Sequence, residues 1–167
     1  MIGKKSLFAE LNGFIIYEPK LLKEYLIKND LKDENVLNYF IETNHGDIIT
    51  ENGIAIPMTD IEDGYYNFSI VKNENDAVTK SDTKIINSKG WVLNVTYGEI
   101  YIIGIGYFVD INTINKNNYL KFNLENGWYE MEINGGFIKN ELYYELLLNK
   151  KEYKPEFYGD INYSYKL

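Results

Sequence analysis

At 167 residues the chain is long enough to bury roughly two-thirds of the surface its unfolded form exposes, so one domain spanning residues 1–167 is expected without a staple or metal to hold it. Cysteine is absent, which excludes disulfides, thiolate nucleophiles and cysteine metal sites and suits a reducing cytoplasm. The 25 acidic residues outnumber the 17 basic ones, every one of them lysine, and a net charge of −8 without a single arginine argues against nucleic acid as a partner.

No apolar run approaches the length of a membrane span, and the longest one near the amino terminus, Phe14 to Tyr17, is too short for a signal-peptide core. The acidity favours a basic protein partner, because complementary fields speed encounter and suppress wrong pairings. Solubility alone explains it equally well.

In chain order, LFAELNGFIIY reads as a strand ended by Pro19. PKLLKEYLIKND then places proline in a first helical turn and Leu21, Leu22, Tyr25 and Leu26 on one stripe. A second helix is expected over DENVLNYFIETNHG, with Asp33 as N-cap, Val36, Leu37, Phe40 and Ile41 on its apolar face and Gly46 as its stop. From Asp47 the pattern changes to period two, in GIAIPM, YYNFSIV, GWVLNVT, EIYIIGI, YLKFNLE, WYEMEI and ELYYELLL. The fold class is therefore mainly β: an antiparallel β-sandwich or a strongly curved sheet, with two short helices near the amino terminus.

The stretch LKFNLENGWYEMEI, residues 120–133, reads as a hairpin about Asn126-Gly127. Its register sets Leu120, Phe122 and Leu124 opposite Ile133, Met131 and Tyr129 on an apolar face, and leaves Trp128 beside Glu125, Glu130 and Glu132 on the other. EDGYYNFSI at Glu62 echoes ENGWYEMEI at Glu125, which points to two related β units at about residues 46–72 and 90–134. In both, the inward set is clear: Tyr66, Phe68 and Ile70 in one, Tyr129, Met131 and Ile133 in the other. Tyr65 and Trp128 become equivalent outward aromatics. Around Asp63-Gly64 a wider loop is expected, with Pro57 on an edge strand.

Few residues carry the marks of chemistry. His45 stands next but one to Asp47, but in the last turn of the expected second helix its reading is a cap on free carbonyls. TDIEDG is rich in oxygen ligands around Asp60, Glu62 and Asp63, yet an EF-hand alignment puts Ile61 at a ligand position, so no metal site is assigned. GIG in IIGIGYFVD lacks the third glycine of a dinucleotide loop and reads as a bend in a strand. No cofactor is implied.

The run GWVLNVTYGEIYIIGIGYFVD followed by YLKFNLENGWYEM resembles the strand, glycine turn, strand and L-x-x-G-x-Y pattern of the competence protein J family. The resemblance covers residues 90–131 and implies a small cytosolic inhibitor of a partner nuclease. More broadly, an acidic, cysteine-free chain of this size resembles the immunity proteins of polymorphic and contact-dependent toxin systems. The expected function is accordingly a non-enzymatic inhibitor or immunity protein that neutralises a basic toxin or nuclease. Its expected contact residues are Glu125, Trp128, Glu130 and Glu132, with Tyr65, Glu62 and Asp63 from the first unit. Two alternatives stay open: a carbohydrate-binding sandwich stacking sugars on Tyr65 and Trp128, and an enzyme working through paired carboxylates.

Overall fold

The structure, a computed structural model, describes residues 2–77, 79 and 83–167. Among the described residues it is mainly β, with nine strands and three α-helices in three layers. The strands are β1 (Ile2–Phe8), β2 (Gly13–Tyr17), β3 (Ala55–Thr59), β4 (Tyr65–Val71), β5 (Lys84–Val95), β6 (Glu99–Gly104), β7 (Tyr119–Asn123), β8 (Gly127–Ile138) and β9 (Glu141–Lys151). The helices are α1 (Pro19–Lys28), α2 (Leu37–Glu42) and α3 (His45–Glu51). One sheet has five strands in the order β1-β4-β9-β8-β5 and the other four in the order β3-β2-β6-β7. All pairs are antiparallel except β4 with β9, which is parallel.

The facing sides of the two sheets share one core. Phe14, Ile16, Met58, Ile102 and Phe122 from the smaller sheet meet Phe68, Ile70, Leu93, Met131, Ile133 and Leu146 from the larger. The far side of the smaller sheet carries Ile15, Tyr17, Ala55 and Ile103, and these are covered by Leu22, Leu26, Val36, Ile49 and Phe108 from the helices and the 3-10 turn after β6. Strands with both faces buried read as apolar runs, which is the pattern of GFIIY in β2. No helix among the described residues is long and apolar enough to cross a membrane.

Residues 120–133 do not form a hairpin. Leu120 pairs with Ile102 of β6 in one sheet, and Met131 pairs with Trp91 and Leu148 in the other, so Asn126-Gly127 carries the chain across the sandwich. The apolar set survives because residues that would face each other across a hairpin also share the core of a sandwich. β3 and β4 make the same passage from the smaller sheet to the larger through residues 60–64.

The echo between the two segments now has a physical cause. The hydroxyl of Tyr66 donates to the Glu62 carbonyl at 2.9 Å, and that of Tyr129 donates to the Glu125 carbonyl at 2.7 Å. Each tyrosine, buried in the core, reaches back four residues to fix the carbonyl at the corner, the device called a tyrosine corner in other sandwiches. Glu-x-Gly-aromatic-Tyr is thus the sequence of a sheet-switching corner.

Other expectations are corrected locally. LFAELNGFIIY is two strands in different sheets, separated by Leu11 and Asn12 with φ of 50° and 58°. The second helix breaks at Thr43 and restarts at His45, its N-cap being Val36 and not Asp33. Gly46 lies inside α3, where a Cβ would sit 2.5 Å from the Phe40 Cα. The glycine serves close helix packing. The GIG segment ends β6 at Gly104 and opens a 3-10 turn. Pro57 does lie on an edge, in β3.

Candidate functional site

The expected contact residues fall into two places. Trp128, Glu130 and Glu132 lie together on the outer face of β8. Tyr65, Glu62 and Asp63 lie at the start of β4, toward the opposite end of the same sheet. Asn67 pairs with Tyr143 and Trp128 with Lys151, and the eight residue steps of β9 from one partner to the other span about 26 Å, so the two aromatics cannot form one stacking platform. Tyr65 instead packs edge-on against Phe8, with ring centroids 5.2 Å apart.

The carboxylates around Trp128 are already answered from within the chain. Glu125 bonds Lys150 at 2.8 Å, Glu130 bonds Lys151 at 2.8 Å and Tyr158 at 3.2 Å, and Glu132 meets Lys89 at 3.3 Å and Lys84 at 3.9 Å. The lysine hydrogen bonds hold the Glu125 and Glu130 carboxyls below the usual glutamate range. Trp128 is half-buried, with the Lys154 ammonium 5.9 Å from its ring centroid. This face presents a balanced network, not an acidic anchor. Glu62 is paired as well, to Lys166 at 2.7 Å, and Asp60 accepts the Ser164 hydroxyl. Among the described residues no group of three or more acidic and histidine side chains is placed to hold a metal ion.

His45 begins α3 instead of ending α2, which removes the capping role expected of it. Its Nδ1 shares a hydrogen bond of 2.8 Å with the Tyr25 hydroxyl, and its ring lies edge-on to Tyr25 and Tyr39. The histidine pins α1, α2 and α3 to one another.

That pinning builds a different concavity. The tight packing of Gly46 on Phe40 sets α3 against α2, and the gap left between this pair and the edge strand β3 is a cavity of about 400 Å³. Its walls include Ile15, Leu37, Phe40, Thr50, Pro57 and Ile105, with Asp47 as the one charged residue. Three large apolar side chains at its margin stand in water: Leu11 is 63% exposed, Ile41 68% and Ile161 38%. Exposed aliphatic groups collected around a cleft mark a binding surface far better than single ones scattered over a protein.

The electrostatics of this region are one-sided. Residues 33–71 contain eight carboxylates and no lysine, so this segment carries a net charge of −8 while the remainder of the chain sums to zero. α2, α3 and β3 all come from that segment. Around the cavity the acidic residues also adjoin the walls in sequence: Glu10 precedes Leu11, Glu42 follows Ile41, Glu51 follows Thr50, Asp60 follows Thr59 and Asp160 precedes Ile161. A protonated amine at this mouth meets the Asp47 carboxylate and no lysine on the lining. Sequence reasoning missed the site, although its signal, a 39-residue window without a lysine in a lysine-rich chain, was readable.

No protein-family model matches the sequence, and no curated protein matches it. The fold is similar to that of the solved structure titled Crocagin biosynthetic gene J, with a TM-score of 0.52 over 88% of this chain and 96% of that one. The two are 7% identical in sequence, so the likeness is one of fold.

Proposed function

We propose that this protein is a non-enzymatic inhibitor of the immunity type, which occupies a basic protein partner, such as a cationic toxin or nuclease, with the acidic face built from α2, α3 and β3. One observation carries the reading: the entire net negative charge lies in residues 33–71, and that segment supplies much of the wall of an apolar cavity ringed by exposed aliphatic side chains. Apolar contact at the centre with charge around it is the anatomy of a protein interface, the charge steering encounter and the apolar centre holding the complex. The absence of arginine and cysteine and the acidity fit a cytoplasmic antidote to a cationic protein.

The test is titration of the chain against the basic proteins encoded beside it, for the wild type and for Asp47→Lys/Glu51→Lys. Binding at micromolar or tighter dissociation constants, weakened by salt and reduced about a hundredfold in the double variant, is expected. Equal binding by the variant would sink the assignment to this face.

A second reading has an observation of its own. A cavity of about 400 Å³ falls within the size range of small-molecule sites, and the related fold belongs to a protein titled as a biosynthetic gene product. An uncharged apolar ligand bound equally well by wild type and the double lysine variant would favour it.

A further inference from the structure

We infer that the cavity between α2, α3 and β3 receives a single apolar side chain presented by a lysine- or arginine-rich segment of the partner, and that the segment docks through its side chains without adding a strand to the sheet. The inference rests on the proposed acidic docking face and specifies its occupant.

The mode of docking follows from the edge itself. β3 is the outer strand of the smaller sheet, but Pro57 at its centre has no N–H to offer. At its end the Thr59 carbonyl already accepts the Tyr165 amide at 3.1 Å, and Thr59 bridges in parallel to Ser164. An incoming strand finds no continuous row of donors, and the acceptor at the end of the edge is already taken. What stays open is the cavity mouth beside that edge, where Ile41 and Ile161 project into water and Asp47 lines the wall.

The chemistry of the occupant follows from the lining. Beside Asp47, Thr50, Thr59 and Asn162, the lining is apolar, and a polar group driven among Leu37, Phe40, Ile15, Ile105 and Pro57 loses its water without a partner, whereas an aliphatic or aromatic group gains. Asp47 on the lining and the net charge of −8 on residues 33–71 favour cationic residues flanking the inserted group. A second copy of this chain is disfavoured by charge, since it too carries a net charge of −8.

The experiment measures binding of two short lysine-rich peptides that differ only in one central residue, phenylalanine or alanine. Each is titrated into the wild-type chain, into Ile41→Ser/Ile161→Ser and into Asp47→Lys/Glu51→Lys. The four positions substituted are exposed, so the variants are expected to fold, and circular dichroism checks it. The phenylalanine peptide should bind at least about tenfold more tightly than the alanine peptide to the wild type, in keeping with burial of one aromatic side chain. That advantage should vanish in the serine variant, and both peptides should weaken in the lysine variant. Equal affinity for the two peptides, still abolished by the lysine variant, would overturn the anchoring inference and leave the acidic face standing. Affinities unchanged by the lysine variant would overturn both.

Discussion

Two faces of this molecule set carboxylates beside apolar side chains, and they differ in what answers the charge. On the outer face of β8, Glu130 and Glu132 each have a lysine within 3.3 Å, and the neighbouring Glu125 is held by Lys150. On the face made by α2, α3 and β3, Asp47, Glu42 and Glu51 come from a segment with no lysine at all. The first arrangement uses its charge to hold adjacent strands and loops together, while Asp47, Glu42 and Glu51 of the second make no ion pair among the described residues. A local count of acidic residues would rank the two alike; only the position of the lysines separates them.

Opposite outcomes are therefore expected from matched charge reversals. Asp47→Lys/Glu51→Lys should cost about a hundredfold in affinity for a cationic partner with unfolding free energy within about 0.5 kcal/mol of wild type, since neither side chain is buried or paired. Glu130→Lys/Glu132→Lys should leave that affinity intact and lower stability by about 1–2 kcal/mol, because Lys84, Lys89 and Lys151 would then face new lysines. Urea unfolding and calorimetric titration on the wild type and the two double variants check both arms. Parallel losses of affinity in the two doubles would erase the distinction drawn between the faces.

The cavity face also depends on one close approach that the sheet face does not need. Gly46→Ala would place a Cβ 2.5 Å from the Phe40 Cα, backbone that cannot swing aside, and should destabilise by about 1–3 kcal/mol while displacing a wall of the cavity. Gly64→Ala is the control, since the nearest atom to its added Cβ, from the Tyr66 ring, lies at 3.7 Å. Denaturant midpoints that moved equally for the two would show that Gly46 does not set the α2–α3 contact.

These positions also show where sequence reading succeeds and where it stops. Tyr66, Phe68, Ile70, Tyr129, Met131 and Ile133 were legible as inward residues because a strand alternates whatever it pairs with. Their strand partners were not legible. Asn126-Gly127 between alternating runs fits a hairpin, but the same alternation also fits strands in opposite sheets, and Gly127 with φ of 146° serves the crossover. The repeated Glu-x-Gly-aromatic-Tyr is visible in sequence as an echo, but the reach of the second aromatic to the glutamate carbonyl, which gives it meaning, is not. The cavity was hidden for another reason: its walls come from Leu11, the helices, β3, Ile105 and Ile161, which no local pattern joins.

The two corners give a smaller and sharper test. Tyr66→Phe and Tyr129→Phe each remove one hydrogen bond from a buried hydroxyl and should each cost about 1 kcal/mol. Because they serve different sheet crossings, the double variant should show the sum to within about 0.5 kcal/mol. Strongly non-additive costs, read from chemical denaturation of the four species, would mean that the corners form one cooperative unit.

The smallest effect concerns pH and separates paired carboxylates from a buried one. Glu18 is fully buried at the junction of β2 and α1, where it accepts the Thr96 and Tyr97 amides at 3.0 and 3.1 Å and so holds the passage from β5 to β6. Burial raises its pKa, opposed by the Thr96 amide and reinforced by Glu24 and Glu99. The folded chain therefore binds this proton more tightly than the unfolded one, and stability falls as pH rises from the ordinary glutamate value of about 4.3 through the raised value. Glu130 runs the other way: its lowered pKa contributes stability above the ordinary glutamate range that is lost as pH falls through the depressed value. Glu18→Gln should flatten the decline on the high side of about pH 4.3 and Glu130→Gln the loss on its low side. The slope of the melting temperature against pH is the quantity to measure for Glu18, because glutamine keeps one acceptor and strands one of the two amides, a loss of stability separate from the titration. An unchanged slope in Glu18→Gln would mean that another group sets the pH dependence and that the carboxylate at this crossing stays ionised throughout.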